Sequence, residues 1–193
     1  MRWPTTRIEV ACTSTTVAVC LVVLILTQAS MTVTSDSMQD GIRVGDILLV
    51  DQLTEYLSQK HLYPRGAVDR ETIVVLREPG SQAFAVKRVV GIGGDMVAIR
   101  RGVLYVNGKT VREPYVRHYL YHDVMGENWP GVRVSFAGET RAGDGSFVVP
   151  AASYFLLSDS RDGSSDSRQW GPVGEKDLIG IVRGVIRRHR RAL

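Results

Sequence analysis

A long charge-free stretch near the N-terminus is the first pattern along the chain. Residues 10–35 carry no charge, and residues 17–26 are almost wholly aliphatic. A helix of this length crosses a hydrocarbon core of about 30 Å at about 1.5 Å per residue. The pattern predicts a membrane anchor over residues 10–32, after a short N-terminus (1–9) and before a domain over 33–193.

Charges on the two sides of this stretch predict its orientation. Arg2 and Arg7 precede it, whereas Asp36 and Asp40 follow it. The positive-inside rule then places residues 1–9 in the cytoplasm and residues 33–193 outside. A cleaved signal peptide is the alternative, but Thr27-Gln28-Ala29 is a weak cleavage site, so an uncleaved anchor is favoured.

The rest of the chain alternates short apolar, β-branched runs with Gly- and Asp-containing turns, a pattern typical of strands. Asn107-Gly108 is a strong signal for a tight hairpin. We expect a mainly β domain, an antiparallel sheet or partly open barrel, on a single N-terminal transmembrane helix. Short helices are predicted at 53–60 and 175–178, and an extended excursion at 113–145. The predicted strands are 47–50, 72–76, 84–92, 96–99, 104–106, 147–150, 154–157 and 178–186.

Composition fits one domain with a real core, since 44% of the 193 residues are hydrophobic and 23% are charged. The net charge of +4 is local, because five arginines fall within residues 183–191. This basic tail is either solvated or in contact with anionic lipid. Nucleic-acid binding is not expected, since no aromatic residues interleave with the arginines. Cys12 and Cys20 both lie in the apolar stretch, which excludes a disulfide framework in the domain.

Ser37 and Lys87 are the candidate chemical pair. A serine hydroxyl is a weak nucleophile until a base takes its proton, and a lysine can be that base only where a dry setting lowers its pKa. Lys87 lies among Phe84, Val86 and Val89, which could bury an amine. An exposed loop serine and an outward-pointing strand lysine are the alternative interpretation of the same residues.

Residues 158–168 consist only of Ser, Asp, Arg and Gly. A calcium loop of the EF-hand kind would need a closing Glu, which is absent. Apolar runs flank the segment on both sides, so a loose linker is not expected either. Paired Asp and Arg residues between apolar anchors indicate a network of charge-assisted hydrogen bonds.

Three blocks in this order resemble the type I signal peptidases, which are membrane-anchored serine peptidases of the Ser/Lys kind. The blocks are Ser35-Asp36-Ser37-Met38, residues 87–95 and residues 158–171. The hairpin at 104–108 is also similar, and the resemblance covers the chain from the anchor to Ile186 except residues 113–145. It implies removal of signal peptides from secreted precursors on the outer side of the bacterial cytoplasmic membrane. It also implies no metal or organic cofactor, and as partners the precursors, the lipid bilayer and the secretion translocon, with no nucleic acid.

The resemblance implies a role for each of four residues. Ser37 would be the nucleophile and Lys87 the general base. The hydroxyl of Ser35 would join the backbone N–H of Ser37 in the oxyanion hole, and Ser164 would orient the lysine amine. Two ion pairs, Asp159 with Arg88 and Asp166 with Arg168, would hold the last block beside the site.

The chain departs from the family pattern at several positions. Gln39-Asp40-Gly41 replaces the usual x-Pro-Thr after the nucleophile block, and Ser158 replaces a glycine at the start of the last block. Further departures are Thr34, Gly93, Ser160 and Gly163. The nucleophile, base and orienting serine are all retained, so the departures bear on the range of substrates.

Other interpretations of the same residues are weaker. The self-cleaving SOS repressors share the Ser/Lys pair, but they are soluble and lack the 158–168 block. The β-lactamase pattern needs a lysine three residues after the serine, where Asp40 stands. A specialised processing peptidase for a pilin or secretion-system component, and a non-catalytic, membrane-tethered peptide-binding domain, are the remaining alternatives.

Overall fold

A computed structural model describes residues 28–39, 41–53, 68–81, 83–100, 103–116, 146–161 and 164–187. Within these ranges the chain forms strands, one four-residue helix, α1 (Ser167–Trp170), and one 3-10 turn (Glu175–Asp177). The strands are β1 (Gln28–Thr32), β2 (Ile47–Asp51), β3 (Ile73–Arg77), β4 (Phe84–Ile92), β5 (Met96–Arg100), β6 (Val103–Val106), β7 (Lys109–Thr110), β8 (Phe147–Val148), β9 (Ser153–Leu157), β10 (Val173–Gly174) and β11 (Leu178–Ile186).

The strands form two antiparallel sheets. The larger has seven strands in the order β1-β2-β11-β3-β4-β9-β10, and the smaller has four in the order β7-β6-β5-β8. Consecutive strands β3 and β4 pair as a hairpin, whereas β11 returns from the end of the chain to lie between β2 and β3. The predicted mainly β, antiparallel fold is confirmed.

Three apolar clusters hold the sheets together, each contributing about 1.5–3 kcal/mol per large buried side chain. The first includes Phe147 and Phe155 and joins the two sheets. The second includes Val89, Leu156 and the half-buried Trp170. The third contains Met38 and Ile42 packed against β2, and therefore fixes the loop that carries Ser37.

Side-chain alternation along β4 separates two faces. Val89 belongs to the cluster with Leu156, whereas Val90 belongs to the cluster with Phe155. Because successive side chains of a strand point to opposite faces, Lys87 shares a face with Val89, and Arg88 shares the other with Val90. The two basic neighbours are thus delivered to different environments.

The predicted anchor is wrong over its last five residues. Residues 28–32 form β1, which pairs with β2 in the register Gln28↔Asp51 to Thr32↔Ile47. Ala29 and Met31 pack against the Met38 cluster while Ser30 and Thr32 are exposed, an alternation that suits a sheet edge rather than a lipid-facing helix. The remainder of the predicted anchor lies outside the described residues. In the part of the chain that is described, no helix is long and apolar enough to cross a membrane.

Other sequence predictions met mixed outcomes. The predicted helical turn near 175–178 appears as the 3-10 turn, whereas α1 and β10 were not anticipated. Most of the predicted helix at 53–60, and residues 117–145 of the predicted excursion, lie outside the described residues.

Candidate active site

The loop after β1 presents Ser37 from a well-packed base. Met38 and Ile42 are each only 1% exposed, which anchors the loop on both sides of the altered turn. The N–H of Gln39 donates to the carbonyl of Asp36 at 2.9 Å, and the N–H of Ile42 donates to that of Met38 at 3.0 Å. Backbone hydrogen bonds and the burial of Met38 and Ile42 therefore hold the residues on either side of the segment that lacks the family's Pro-Thr.

Ser35 and Ser37 lie side by side. The backbone N–H of Ser37 donates to Ser35 Oγ at 3.2 Å. Since Ser35 Oγ accepts this bond, its own proton stays available for another acceptor. The carbonyl of Ser37 in turn accepts from the N–H of Ser160 at 3.0 Å, which ties the loop to the last sequence block.

Lys87 is buried, with 4% of its surface exposed. Loss of hydration lowers the pKa of its amine below the usual lysine value, although the carboxylates of Asp166 and Glu78 act in the opposite direction. The amine nitrogen lies 5.8 Å from the centre of the Trp170 ring. The predicted dry setting for this lysine is present, and it favours the neutral amine that a base requires.

A cavity of about 510 Å³ brings the predicted serines and lysine together. Its lining includes Ser35, Ser37, Lys87 and Ser164. Among the described residues no hydrogen bond joins Ser37 Oγ, Lys87 Nζ and Ser164 Oγ in this conformation. Catalytic hydrogen bonds of substrate-free sites often tighten only when substrate binds.

Sequence reasoning missed several other residues of this cavity. Glu78 and Phe84 enter from the β3–β4 hairpin, and Trp170 enters from α1. The turn Glu78-Pro79-Gly80 was a readable hairpin signal that would have placed Glu78 close to the start of β4.

Arg88 pairs with Asp159, as the family resemblance implied. Its Nε donates to one carboxylate oxygen at 2.8 Å, and a terminal nitrogen donates to the other at 2.6 Å. The guanidinium also donates to the Glu71 carbonyl and lies 3.9 Å from the centre of the Tyr115 ring. Burial, with Glu113 alongside, raises the pKa of the Tyr115 hydroxyl, so the ring stays neutral. No sequence signal pointed to Tyr115.

The ion pair of Asp166 and Arg168 that the resemblance implied is also present, and both residues make further hydrogen bonds. Asp166 caps α1, accepting from the backbone and from Nε of Arg168 at 3.1 and 2.8 Å. Its second oxygen accepts from the N–H of Ser158 at 3.0 Å. Arg168 donates onward to the carbonyl of Arg161 at 2.7 Å, and Arg161 forms an ion pair with Glu113. The expected hydrogen-bond network is thus present within the 158–168 block, and it fixes this block next to Lys87.

Within the described ranges, no group of three or more His, Cys, Asp or Glu side chains is arranged to hold a metal ion. The cavity lining carries the hydroxyls of Ser35, Ser37 and Ser164, the buried Lys87 amine and the carboxylates of Asp36 and Glu78. This set suits nucleophilic attack by Ser37 on a carbonyl group.

Comparison with known proteins identifies one family and several relatives that bear the same name. Residues 7–186 match the family "Signal peptidase, peptidase S26". Signal peptidase I of Pseudomonas aeruginosa is 32% identical over 163 residues, covering 77% of this chain and 57% of that protein. Signal peptidase I of Bacillus caldolyticus is 32% identical over 169 residues, covering 86% of this chain and 84% of that protein. The chain thus spans little more than half the length of some curated relatives that it matches.

One solved structure is also similar. It is the crystal structure of a signal peptidase I from Enterococcus faecalis, at 26% identity and a TM-score of 0.42, and the match covers 59% of this chain and 95% of that chain.

Proposed function

Because this chain belongs to the signal peptidase family, peptidase S26, we propose that it removes N-terminal signal peptides from secreted precursor proteins. The observation that carries the proposal is the shared cavity, in which a buried amine of lowered pKa accompanies Ser37 and Ser35. A neutral amine beside a serine hydroxyl is what a Ser/Lys peptidase requires.

In the proposed reaction, Ser37 Oγ attacks the scissile carbonyl carbon while the Lys87 amine takes the hydroxyl proton. Negative charge develops on the carbonyl oxygen and is met by the Ser35 hydroxyl and by the Ser37 N–H, which gives up its bond to Ser35 Oγ to reach it. Collapse breaks the C–N bond, and the Lys87 ammonium returns its proton to the leaving amine. Water, deprotonated by the same amine, then hydrolyses the ester and frees Ser37. Loss of one oxyanion donor typically costs about a hundredfold or more in rate.

The edge of β4 supports an extended substrate. Phe84 to Arg88 pair with β3 on one side, whereas pairing with β9 on the other side begins only at Arg88. Ala83, Ala85 and Val86 line the cavity along this half-paired stretch. We propose that the precursor adds there as a strand, with small side chains at the first and third positions before the cut.

The proposed location is the bacterial cytoplasmic membrane. A single anchor within residues 10–27, charge-free in sequence, would hold the catalytic domain on the outer side next to the bilayer and the secretion translocon. There the cavity would meet signal peptides as they leave the membrane.

Cleavage by the purified full chain in detergent, with several precursors, tests the proposal. The parent should release mature proteins with new N-termini, located by mass spectrometry. Ser37→Ala and Lys87→Met should each lower the rate by about a thousandfold or more. Ser153→Ala and Lys109→Met, which change a serine and a lysine outside the cavity, are the matched controls.

The possible outcomes separate the alternatives. Cleavage by Ser37→Ala at the parent rate would refute the dyad. A parent that binds precursors without cutting them would be a peptide-binding domain. Activity confined to one precursor among many would identify a specialised processing peptidase.

A further inference from the structure

Ser158 carries a buried hydroxyl that lacks a hydrogen-bond partner among the described residues. The residue is fully buried, with 0% of its surface exposed. Leaving a buried hydroxyl unpaired destabilises a fold, so such a group calls for a functional explanation. Ser158 is also one of the positions at which the chain departs from the family pattern that it resembles.

The backbone of Ser158 is fixed on both sides. Its N–H donates to Asp166 at 3.0 Å, and its carbonyl accepts from Arg161 Nε at 2.9 Å. Asp166 and Arg161 are themselves buried and bonded within the 158–168 network. These bonds fix the backbone of Ser158 and, with it, the direction of its Cα–Cβ bond.

Lys87 and Ser158 are neighbours where the pairing of β4 with β9 ends. The last pair of the register is Arg88 opposite Leu157, and Lys87 and Ser158 are the next residues along each chain segment. The ion pair of Arg88 with Asp159 lies on one face, so continued alternation puts the Lys87 and Ser158 side chains on the other.

One serine cannot accept hydrogen bonds from both N–H groups of a neutral amine and so cannot fix its orientation. It carries two N–H donors and one lone pair, and the lone pair must face Ser37 for proton transfer. Ser164 can accept one of the two N–H groups. The second N–H needs another acceptor.

We propose that Ser158 is a second positioning residue for Lys87, its hydroxyl accepting a hydrogen bond from the amine when the lone pair is directed at Ser37. The inference rests on the proposed Ser/Lys chemistry. When the Lys87 amine donates one N–H to Ser164 and the other to Ser158, its lone pair is left pointing towards Ser37. The flexible lysine stem allows the amine to enter this arrangement when a precursor binds.

The carboxylates around the Lys87 amine are already engaged in other hydrogen bonds. The carboxylates that act on Lys87 are Asp166, Glu78 and Asp159, and the nearby cation is Arg168. Asp166 and Asp159 are engaged by arginines, and Glu78 accepts from the Ser81 hydroxyl at 2.8 Å. The Trp170 ring has no acceptor oxygen, which leaves the Ser158 hydroxyl as a neutral acceptor on this face.

Ser158→Ala tests the proposal, since it removes the hydroxyl and almost nothing else. We expect kcat to fall about tenfold with KM within about twofold of the parent, because orientation rather than binding is lost. The acid limb of the pH profile should move to lower pH, because the lost acceptor stabilises the ammonium form more than the amine. The melting temperature should not fall, since the variant removes an unpaired buried hydroxyl.

Ser153→Ala is the matched control. It removes a hydroxyl from the same strand, where the side chain makes only a 3.5 Å contact to the carbonyl of Ala151. Its kcat and acid limb should equal those of the parent.

Three results would overturn the inference. The first is an unchanged kcat and acid limb in Ser158→Ala, while Ser37→Ala is inactive and the peptidase assignment stands. The second is a lower kcat together with a lower melting temperature and an unmoved acid limb, which would make Ser158 structural. The third comes from NMR titration of Lys87 in Ser37→Ala with a precursor peptide bound, which needs no turnover and so holds even if the chain cleaves no precursor. Equal pKa values of Lys87 in this variant and in the same variant carrying Ser158→Ala would exclude the contact.

Discussion

At the residue scale, the burial that equips Lys87 as a base also works against folding. An amine taken out of water favours its neutral form, and the unfolded chain, in which the amine is hydrated, binds the proton more readily. The buried base and the unpaired hydroxyl of Ser158 are therefore two groups that each lower the stability of the fold. Costs of this kind are typical of functional sites.

Lys87→Met should stabilise the protein while abolishing its activity. The folded pKa of Lys87 is lowered, so its cost to stability is fully present below that folded pKa and shrinks as pH rises through it towards about 10.4. Each pKa unit of lowering corresponds to about 1.4 kcal/mol. Urea unfolding at pH 7 and pH 10 measures this, and an equal advantage at both values would contradict the expected linkage.

Some residues of the site could be predicted from the sequence and others could not. Apolar neighbours of Lys87 correctly indicated burial, but its pairing with Ser37 depended on the resemblance of three blocks. The contact of Tyr115 with Arg88 joins residues 27 positions apart along the chain, and no local pattern encodes it. Ser158 was noticed only as a departure, because an unpartnered hydroxyl is a property of packing rather than of composition.

At the element scale, β11 lies so close to β2 that one position requires glycine. A Cβ at Gly180 would lie 2.7 Å from both the carbonyl oxygen of Asp51 and Cγ1 of Val50. The register between β11 and β3 shifts between Leu178 and Gly180, so the backbone is irregular at the same place.

Gly180→Ala should therefore lower the free energy of unfolding by about 1–3 kcal/mol, as overpacking usually does. Gly184→Ala in the same strand is the matched control, because its Cβ would meet Leu49 at an ordinary 3.4 Å. Chemical denaturation of both variants checks the difference, and equal stabilities would contradict the close approach.

Asp159→Ala should destabilise the fold more, by about 3–5 kcal/mol, because it leaves the Arg88 guanidinium without its carboxylate. Replacing both partners, as Arg88→Met with Asp159→Leu, should recover much of this loss, since no charge then stays unpaired. Urea unfolding of the single and double variants measures the recovery. A double variant no more stable than the single one would show that the pair is not the cause.

Strands were the elements best predicted from the sequence. Those around β-branched runs, such as β3 and β4, were placed within a residue or two, because apolar alternation and turn residues agree there. β1 was assigned to the anchor, since its uncharged residues continue the apolar stretch without a break. The short helix α1 depends on capping by Asp166. It was not predicted, because a segment of Ser, Asp and Arg has no apolar periodicity that would indicate a helix.

At the scale of the whole molecule, one carboxylate holds the corner where the large sheet passes into the small one. Asp95 is 5% exposed and accepts from Arg70, from the N–H of Ile92 and from Asn107. Burial alone would raise its pKa, but these hydrogen bonds hold the pKa below the usual aspartate value.

Asp95→Asn should cost about 1–3 kcal/mol at pH 7, since it places an amide among donors. A lowered folded pKa means that the contribution of Asp95 is present above about pH 4 and is lost as pH falls through the folded pKa. The difference between parent and variant should therefore shrink in acid. Thermal unfolding between pH 7 and pH 3 measures it, with the exposed Asp69→Asn as control, and a constant difference would contradict the assignment.

The central claim is that a neutral, buried Lys87 activates Ser37, and the pH profile of kcat for precursor cleavage tests it most directly. We expect the rate to rise about tenfold per pH unit on the acid side, with a midpoint below about 10.4, and to level off above that midpoint. Full activity persisting to about pH 5, or a midpoint at the ordinary lysine value, would contradict a neutral Lys87 base.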